Sequence, residues 1–476
     1  MFNQRVTTNS GSLARLDNAL VASLREHFQG EIIRPSDSGY DDARKIWNAM
    51  IDKHPALIAR CKNSNDVIEA VNFARDNHLL LSVRGGGHNV AGSAVCDSGL
   101  MIDLSLMKDI HLNPEMGTAT AQPGVVFGEM DQATQPYGLA APGGIVSVTG
   151  ISGLTLGGGF GWLTRKHGFT CDNLISAEIV TADGRLLTAS ATENMDLFWG
   201  IRGGGGNFGV VTSFNYQLQP VGPEVMAGLI IYSIDDARDA LRFYRDFTAS
   251  APEELGTLAL FRLAPPAPFI PKELHGKPVL VIIVCFVGDA EEGERVVKPL
   301  RDFGSPIFDG VKRTTFTAHN SSLDTGQPAG MNYYWKSEYI TEIADGAIES
   351  LVAFAANMTS PYSRLVVFQL GGAILRYDDQ AMAVSHRNAK YIIAIITGWA
   401  VPKDTEKQVQ WTRDLWTTIR PFSSGGGYVN FLSADDGEDR VRAAYGATKF
   451  ERLVQLKNKY DPENLFRMNQ NIKPVL

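Results

Sequence analysis

A histidine preceded by three glycines, in the run Ser82-Val83-Arg84-Gly85-Gly86-Gly87-His88-Asn89, carries the most chemistry of any stretch in this chain of 476 residues. Three glycines release the backbone from side-chain sterics, so successive N–H groups can turn into one concavity that suits a pyrophosphate. Such a nest holds an anion without any lysine. A histidine at its rim lies beside whatever the phosphates carry, which suits a nucleophilic or covalent role.

The elements that must position this loop exclude the commonest dinucleotide fold. Residues 64–77 read as a helix, with Val67, Ile68, Val71 and Ala74 on one face and Ser64 as N-cap. A short apolar strand, residues 79–83, leads into the glycines, and a second, residues 100–104, follows them. The order is helix, strand, loop, strand, whereas a Rossmann fingerprint requires strand, loop, helix. The phosphates of this first loop therefore do not sit on a helix N-terminus. A GxGxxG match at Gly204, Gly206 and Gly209 is followed by Val210-Val211-Thr212-Ser213-Phe214, a strand-like run, and reads as accidental.

Residues 84–89 resemble the phosphate loop of the FAD-linked oxidases of the vanillyl-alcohol oxidase type. Residues 150–161 (GISGLTLGGGFG) are similar to the second flavin loop of that family, and residues 202–212 (RGGGGNFGVVT) to the segment closing its FAD domain. Residues 460–472 (YDPENLFRMNQNI) resemble the tail of the berberine-bridge-enzyme-like branch. The four motifs stand in the family's order and span nearly the whole chain. The resemblance implies an α+β, two-domain FAD-binding fold with an antiparallel substrate-domain sheet covered by helices.

It also implies site roles. The FAD contacts expected are Arg84, Gly85, Gly86, Gly87, His88, Asn89, Gly150, Ile151, Gly153, Gly157, Gly158, Gly161, Gly209, Val210, Tyr428 and Asn469. His88 is expected to be joined to the 8α-methyl of the flavin, a link that eases reduction of the ring and prevents cofactor loss. Doubly tethered members carry a cysteine where this chain has Val146. Cys171 lies too far along to replace it and reads as a small buried thiol. One covalent bond is therefore expected, as in the 6-hydroxy-D-nicotine oxidase type. The five glycines within residues 151–161 are costly to order unless something such as a flat isoalloxazine approaches closely. Ile151 is placed by the resemblance near the flavin face that meets oxygen, where its bulk would hinder O2.

For the catalytic base the resemblance points to Tyr428, in an extended run Gly427-Tyr428-Val429-Asn430-Phe431, although pattern alone reads it as packing. A phenol near pKa 10 must be tuned downward before it removes a proton at neutral pH. Lys336 is one source of the required positive charge. Gln369 and Tyr377 are weaker candidates for facing substrate from the roof. Asn469 alternatively reads as a turn cap. His167 and His386 read as structural.

Bulk properties agree with an enzyme of small molecules. Hydrophobic residues make up 44% and charged residues 20%, enough for a large core and, at this length, two domains. A net charge of −8 leaves no footprint for nucleic acid or an anionic membrane. The longest apolar run, residues 279–287, is far short of a membrane span, and the start of the chain lacks a signal-peptide core. Four scattered cysteines without metal spacing suit the cytoplasm. The expected organisation is an FAD-binding domain at residues 31–218, a substrate domain at 219–424 and a segment returning to the first domain at 425–476. In the second block, helices at residues 235–248, 290–303 and 345–357 alternate with strands at 258–263, 279–287, 365–370 and 391–399.

The function expected is hydride transfer from a CH–OH or CH–NH carbon to covalent flavin, with O2 or another acceptor reoxidising it and H2O2 as the product of O2. Two other classes compete: an NAD(P)-dependent two-domain reductase, suggested by the Gly204 match, and a flavin-binding protein without turnover. Family members act on sugars, aromatic alcohols, alkaloids and cyclic amines, so fold-level analogy does not choose a substrate.

Overall fold

A computed structural model describes residues 3–475 and contains three principal sheets. The first has four strands in the order Glu31–Ile33, Leu57–Arg60, Leu100–Asp103, Leu81–Arg84. The last three run parallel, with Leu57 and Leu81 both opposite Leu100. Helix Ser64–Asp76 packs on this sheet through Val67, Ala70, Val71 and Ala74, all fully buried. Its N-cap is Asn63, whose side chain accepts from Asp66 N at 3.0 Å, and not Ser64 as expected. A side-chain oxygen one residue earlier reaches the free N–H of the first turn.

The second sheet has five antiparallel strands, ordered Leu186–Ser190, Leu174–Val180, Val210–Gln217, Thr118–Ala121, Ile110–Asn113. The GxGxxG match thus runs straight into the strand Val210–Gln217 with no helix behind it. The geometry for a Rossmann phosphate site is absent there.

The third sheet forms a roof of antiparallel strands in the order Phe308–Asp309, Glu224–Ser233, Pro278–Phe286, Leu255–Leu263, Arg364–Gln369, Tyr391–Trp399, Asn332–Ile340. Its central strands, such as Pro278–Phe286 and Tyr391–Trp399, read as continuous apolar runs because both faces are buried. Alternate residues divide between two cores: Leu258, Leu260, Val281 and Val366 face inward, while Ala259, Phe261, Ile282 and Val367 face the covering helices. Those helices are Ala237–Thr248, Ala290–Asp302, Asp345–Ala356 and Thr405–Ile419. The three helices and four strands expected in this block stand within a few residues of their expected bounds. Strands Glu224–Ser233 and Asn332–Ile340 and helix Thr405–Ile419 were not foreseen.

The tail packs beside the loop before Val210. Asn469 Nδ2 donates to Gly206 O at 3.1 Å, and Ile472 N donates to Asn207 Oδ1 at 3.0 Å. No helix among the described residues is long and apolar enough to cross a membrane. All four cysteines are buried and unpaired.

Candidate functional site

Two adjoining cavities open beneath the roof. The first, of about 290 Å³, is lined by Gly85, Gly86, Gly87, His88 and Asn89, by Gly150 and Gly153, by Gly209 and Val210, and by Tyr428 and Asn469. Five segments that are distant in sequence therefore converge. The second cavity, of about 410 Å³, lies against the roof sheet and shares Ile145, Val146, Gln327, Phe368 and Ile396 with the first.

The first glycine loop owes its path to close backbone contact. A Cβ on Gly86 would stand 2.6 Å from Gly150 Cα, and one on Gly150 would stand 2.7 Å from Gly86 Cα. Gly87 turns the chain with φ +67°, which favours glycine. The N–H groups of Gly86, Gly87, His88 and Asn89 donate to no protein acceptor among the described residues. Four adjacent donors at a cavity wall form an anion nest, since leaving them unfilled is costly.

His88 stacks on Trp47 with centroids 4.5 Å apart and planes at 16°, and Trp47 stacks in turn on Tyr333 at 3.8 Å. Trp47 is fixed by its Nε1, which donates to Gln327 O at 3.1 Å. Besides a hydrogen bond to its own backbone, the His88 ring has no side-chain hydrogen-bond partner among the described residues. Burial lowers its pKa to about 4, so the imidazole is neutral at pH 7 with a lone pair available.

Tyr428 is buried among Phe160 and Phe431, and its Oη accepts from Gly159 N at 3.0 Å and from Asn430 Nδ2 at 2.9 Å. Burial raises its pKa above the ordinary tyrosine value, outweighing both donors. The expected influence of Lys336 is absent. That ammonium is 2.9 Å from both Asp435 and Asp436; burial opposes its charge, but the two carboxylates hold its pKa up. Residues 427–431 are also not extended, because Val429–Phe431 forms a 3-10 turn closed by Phe431 N donating to Tyr428 O at 2.8 Å.

Five other expected cofactor contacts do not line the cavity. Arg84 is a strut, its Nε and Nη2 on the buried Asp103 carboxylate at 3.1 and 2.5 Å. Ile151 is fully buried in the core with Val125 and Met130, so it does not gate oxygen from the cavity wall. Gly157, Gly158 and Gly161 are explained by protein neighbours: added Cβ atoms would meet Asn430 at 2.2 Å, Val384 at 2.9 Å and Gly143 O at 2.1 Å. What approaches these glycines is protein, not a flat ring. Residues 151–156, expected as part of a glycine loop, form a short helix, Ile151–Leu156, whose first turn borders the cavity.

The weaker candidates separate from the cavity as well. Gln369 points to the helix side, accepting from Thr257 Oγ1 at 2.7 Å and donating to Thr248 O at 3.1 Å. Tyr377 lies under Arg387, 5.0 Å from its guanidinium. Conversely, Trp47, Gln327, Trp335 and Phe368 were missed. Nothing local marks Trp47, whereas Phe368 was detectable as the inward member of an alternating strand.

Asn469 fits an absent ligand. Its Nδ2 donates to Gly206 O and Phe466 O, both at 3.1 Å, while its buried Oδ1 has no partner. Gly153 and Gly206 also border the cavity, and a Cβ on either would meet nothing within 4 Å. Space, unfilled donors and an orphan acceptor together fit a large anionic cofactor. No group of three or more metal-ligating side chains occurs among the described residues.

Comparison with known proteins agrees with this fit. The family described as FAD binding domain matches residues 55–190, and the family described as berberine and berberine like matches residues 427–473. An FAD-linked oxidoreductase of Dictyostelium discoideum is 31% identical over 96% of this chain and 97% of its own. The crystal structure of 6-hydroxy-D-nicotine oxidase from Arthrobacter nicotinovorans superposes with a TM-score of 0.85 at 30% identity, covering 94% of this chain and 98% of that one. Glucooligosaccharide oxidase from Acremonium strictum, described with a 6-S-cysteinyl, 8α-N1-histidyl FAD, has the same fold at a TM-score of 0.85 and 22% identity, over 96% of this chain and 100% of that one.

The glycine geometry separates stability from binding. Gly86→Ala is expected to force the two loops apart and cost about 1–3 kcal/mol, as overpacking does. Gly153→Ala is expected to leave thermal stability intact, or raise it slightly within its helix, while weakening FAD retention. Thermal denaturation together with the flavin-to-protein absorbance ratio checks both.

Proposed function

From the membership of this chain in the berberine-like family of FAD-linked oxidoreductases, we propose that it oxidises a small molecule at a carbon bearing a hydroxyl or an amine, with FAD held covalently through His88. FAD, when bound, supplies the hydride acceptor and passes the electrons to O2 to give H2O2. The observation that carries this reading is the adjacency of four unfilled backbone donors to a neutral imidazole that no other side chain hydrogen-bonds. The nest receives the diphosphate; the imidazole is held in one plane by Trp47 and keeps its lone pair at pH 7.

A single tether is proposed. Val146 lines both cavities and offers no thiol. Cys171 is fully buried, 3.9 Å from Met382 Sδ, and burial pushes its pKa up, so no thiolate competes with His88.

Tyr428 is proposed to hold the substrate oxygen and to take its proton when the substrate is an alcohol. Only the phenolate accepts a proton, and Gly159 N–H and Asn430 Nδ2 are the donors that support that charge. Because burial raises its pKa, the phenolate fraction is small at neutral pH and grows as pH rises. Reduction by an alcohol is therefore expected to accelerate with pH through the alkaline range. Tyr428→Phe should slow it about 10²-fold or more, with flavin content unchanged. A flat pH profile in the wild type, or an undiminished rate in the variant, removes the base role.

The reaction itself is tested by anaerobic optical titration against alcohols, oligosaccharides and cyclic amines, followed by admission of air. Bleaching by one class and rapid recovery with H2O2 are expected. Failure of every class to bleach the flavin leaves a binding protein, and bleaching without recovery in air makes it a dehydrogenase.

A further inference from the structure

Arg262 and Arg364 stand in the wall of the second cavity with no carboxylate beside them. They occupy the inward face of their strands, in step with Leu258 and Leu260 on one and Val366 and Phe368 on the other. Arg364 is 6% exposed, and its guanidinium is aimed by Tyr362 O at 2.9 Å and by Gly326 O. Arg262 is partly buried; its Nε reaches Leu263 O at 3.2 Å, and its terminal nitrogens meet no protein acceptor among the described residues. Asp324, in the loop beneath, is already engaged by Ser147 through N–H at 2.9 Å and Oγ at 2.5 Å.

Arg262 departs from how the chain treats its buried guanidiniums, since Arg364, like Arg165, at least meets carbonyls. Arg387 is neutralised by Asp172 at 2.5 Å, and Arg165 is saturated by the carbonyls of Ala251, Pro252, Leu255 and Leu370. Two like charges in a largely apolar wall are destabilising unless a counter-charge arrives. Burial first, and then the neighbouring Arg262, lower the pKa of Arg364 to about 9. Arg262 is not required by its strand, where an aliphatic residue would pack as its neighbours do.

We infer that the substrate is an apolar molecule bearing a carboxylate, gripped by Arg262 and Arg364, with the carbon to be oxidised directed toward His88 and Tyr428. A guanidinium fork matches a planar carboxylate with paired hydrogen bonds, and the aliphatic wall receives the remainder. This names the substrate class of the oxidation proposed above and rests on that reading.

The test titrates holoprotein by calorimetry with 3-phenylpropionate and with its methyl ester. The acid is expected to bind at least about tenfold more tightly than the ester, the scale of one buried charge pairing. Arg262→Gln and Arg364→Gln should each remove most of that preference and leave ester affinity within about threefold. Arg364 also holds the loop at Gly326, so Arg262→Gln carries the test if the other variant misfolds. An acid that binds no better than its ester, whether both bind or neither does, overturns the proposal, as does equal weakening of both probes in Arg262→Gln. Calorimetry needs no turnover. Discrimination with no bleaching of the flavin by any carboxylate-bearing alcohol or amine would sink the oxidase reading alone, and bleaching without discrimination would sink the carboxylate alone.

Discussion

His88→Ala protein, denatured in acid, is expected to leave essentially no flavin on the polypeptide, and the wild type to keep its yellow colour through precipitation. The substitution removes the nitrogen proposed to form the bond and little else. The nest made by Gly86, Gly87 and the following N–H groups is backbone, and Gly86 still rests on Gly150. Folded variant should therefore bind added FAD reversibly. Loss of the ring from its stack on Trp47 costs about 0.5–1.5 kcal/mol, too little to unfold a chain of this size. Loss of an electron-withdrawing link should also lower the flavin potential and slow its reduction by substrate. Acid-stable colour at the wild-type level in the variant would show that another residue carries the flavin.

What the sequence discloses about this site follows from where the physical requirement is local. The glycine loop at 85–87 is legible because its requirement is a backbone one, written in the residues that meet it. Strand Tyr391–Trp399 was placed at both ends, since a β-branched run buried on two faces has few alternatives. Strand Asn332–Ile340 was not foreseen: Lys336 and Glu338 interrupt its apolar pattern. Their partners, Asp435 and Asp436 for the lysine and Trp416 Nε1 and Ser423 Oγ for the glutamate, are nearly 80 to 100 residues away. The same long-range pairing explains why Lys336 does not tune Tyr428.

Other differences arise where one residue type serves two ends. Gly153 lowers helix propensity, so residues 151–156 read as loop, yet the helix forms and the missing side chain leaves room in the cavity. Gly157 and Gly161 were expected to face a ring, but Asn430 and Gly143 O occupy that space. Trp47 has no motif at all. Its role depends on Tyr333 and His88 being brought to either side of it, which only the tertiary fold supplies.

Lys457→Met should be the most destabilising single change in the tail, costing about 3–5 kcal/mol, because it strands a buried carboxylate. Lys457 and Asp461 are both completely buried, with Nζ 2.7 Å from Asp461 Oδ2. The ammonium also donates to Asn207 O and Phe466 O, both at 2.9 Å. Burial lowers its pKa and Asp461 opposes that shift, so the charged form depends on this one acid. Asp461 in turn accepts from Leu465 N and Phe466 N at 2.7 and 2.8 Å, bending the chain so that Asn469 comes to rest against Gly206. Removal of the ammonium leaves Asn207 O unpaired, Phe466 O with only Asn469 Nδ2 and the carboxylate with only two backbone donors. The bend should then loosen, and the orphan oxygen of Asn469 should leave the cavity wall. Denaturant unfolding followed by tryptophan emission measures the loss, and the flavin-to-protein ratio measures its consequence. Unfolding within about 1 kcal/mol of the wild type, below the range for a broken buried pair, would show that the 461–466 bend holds itself without the ion pair.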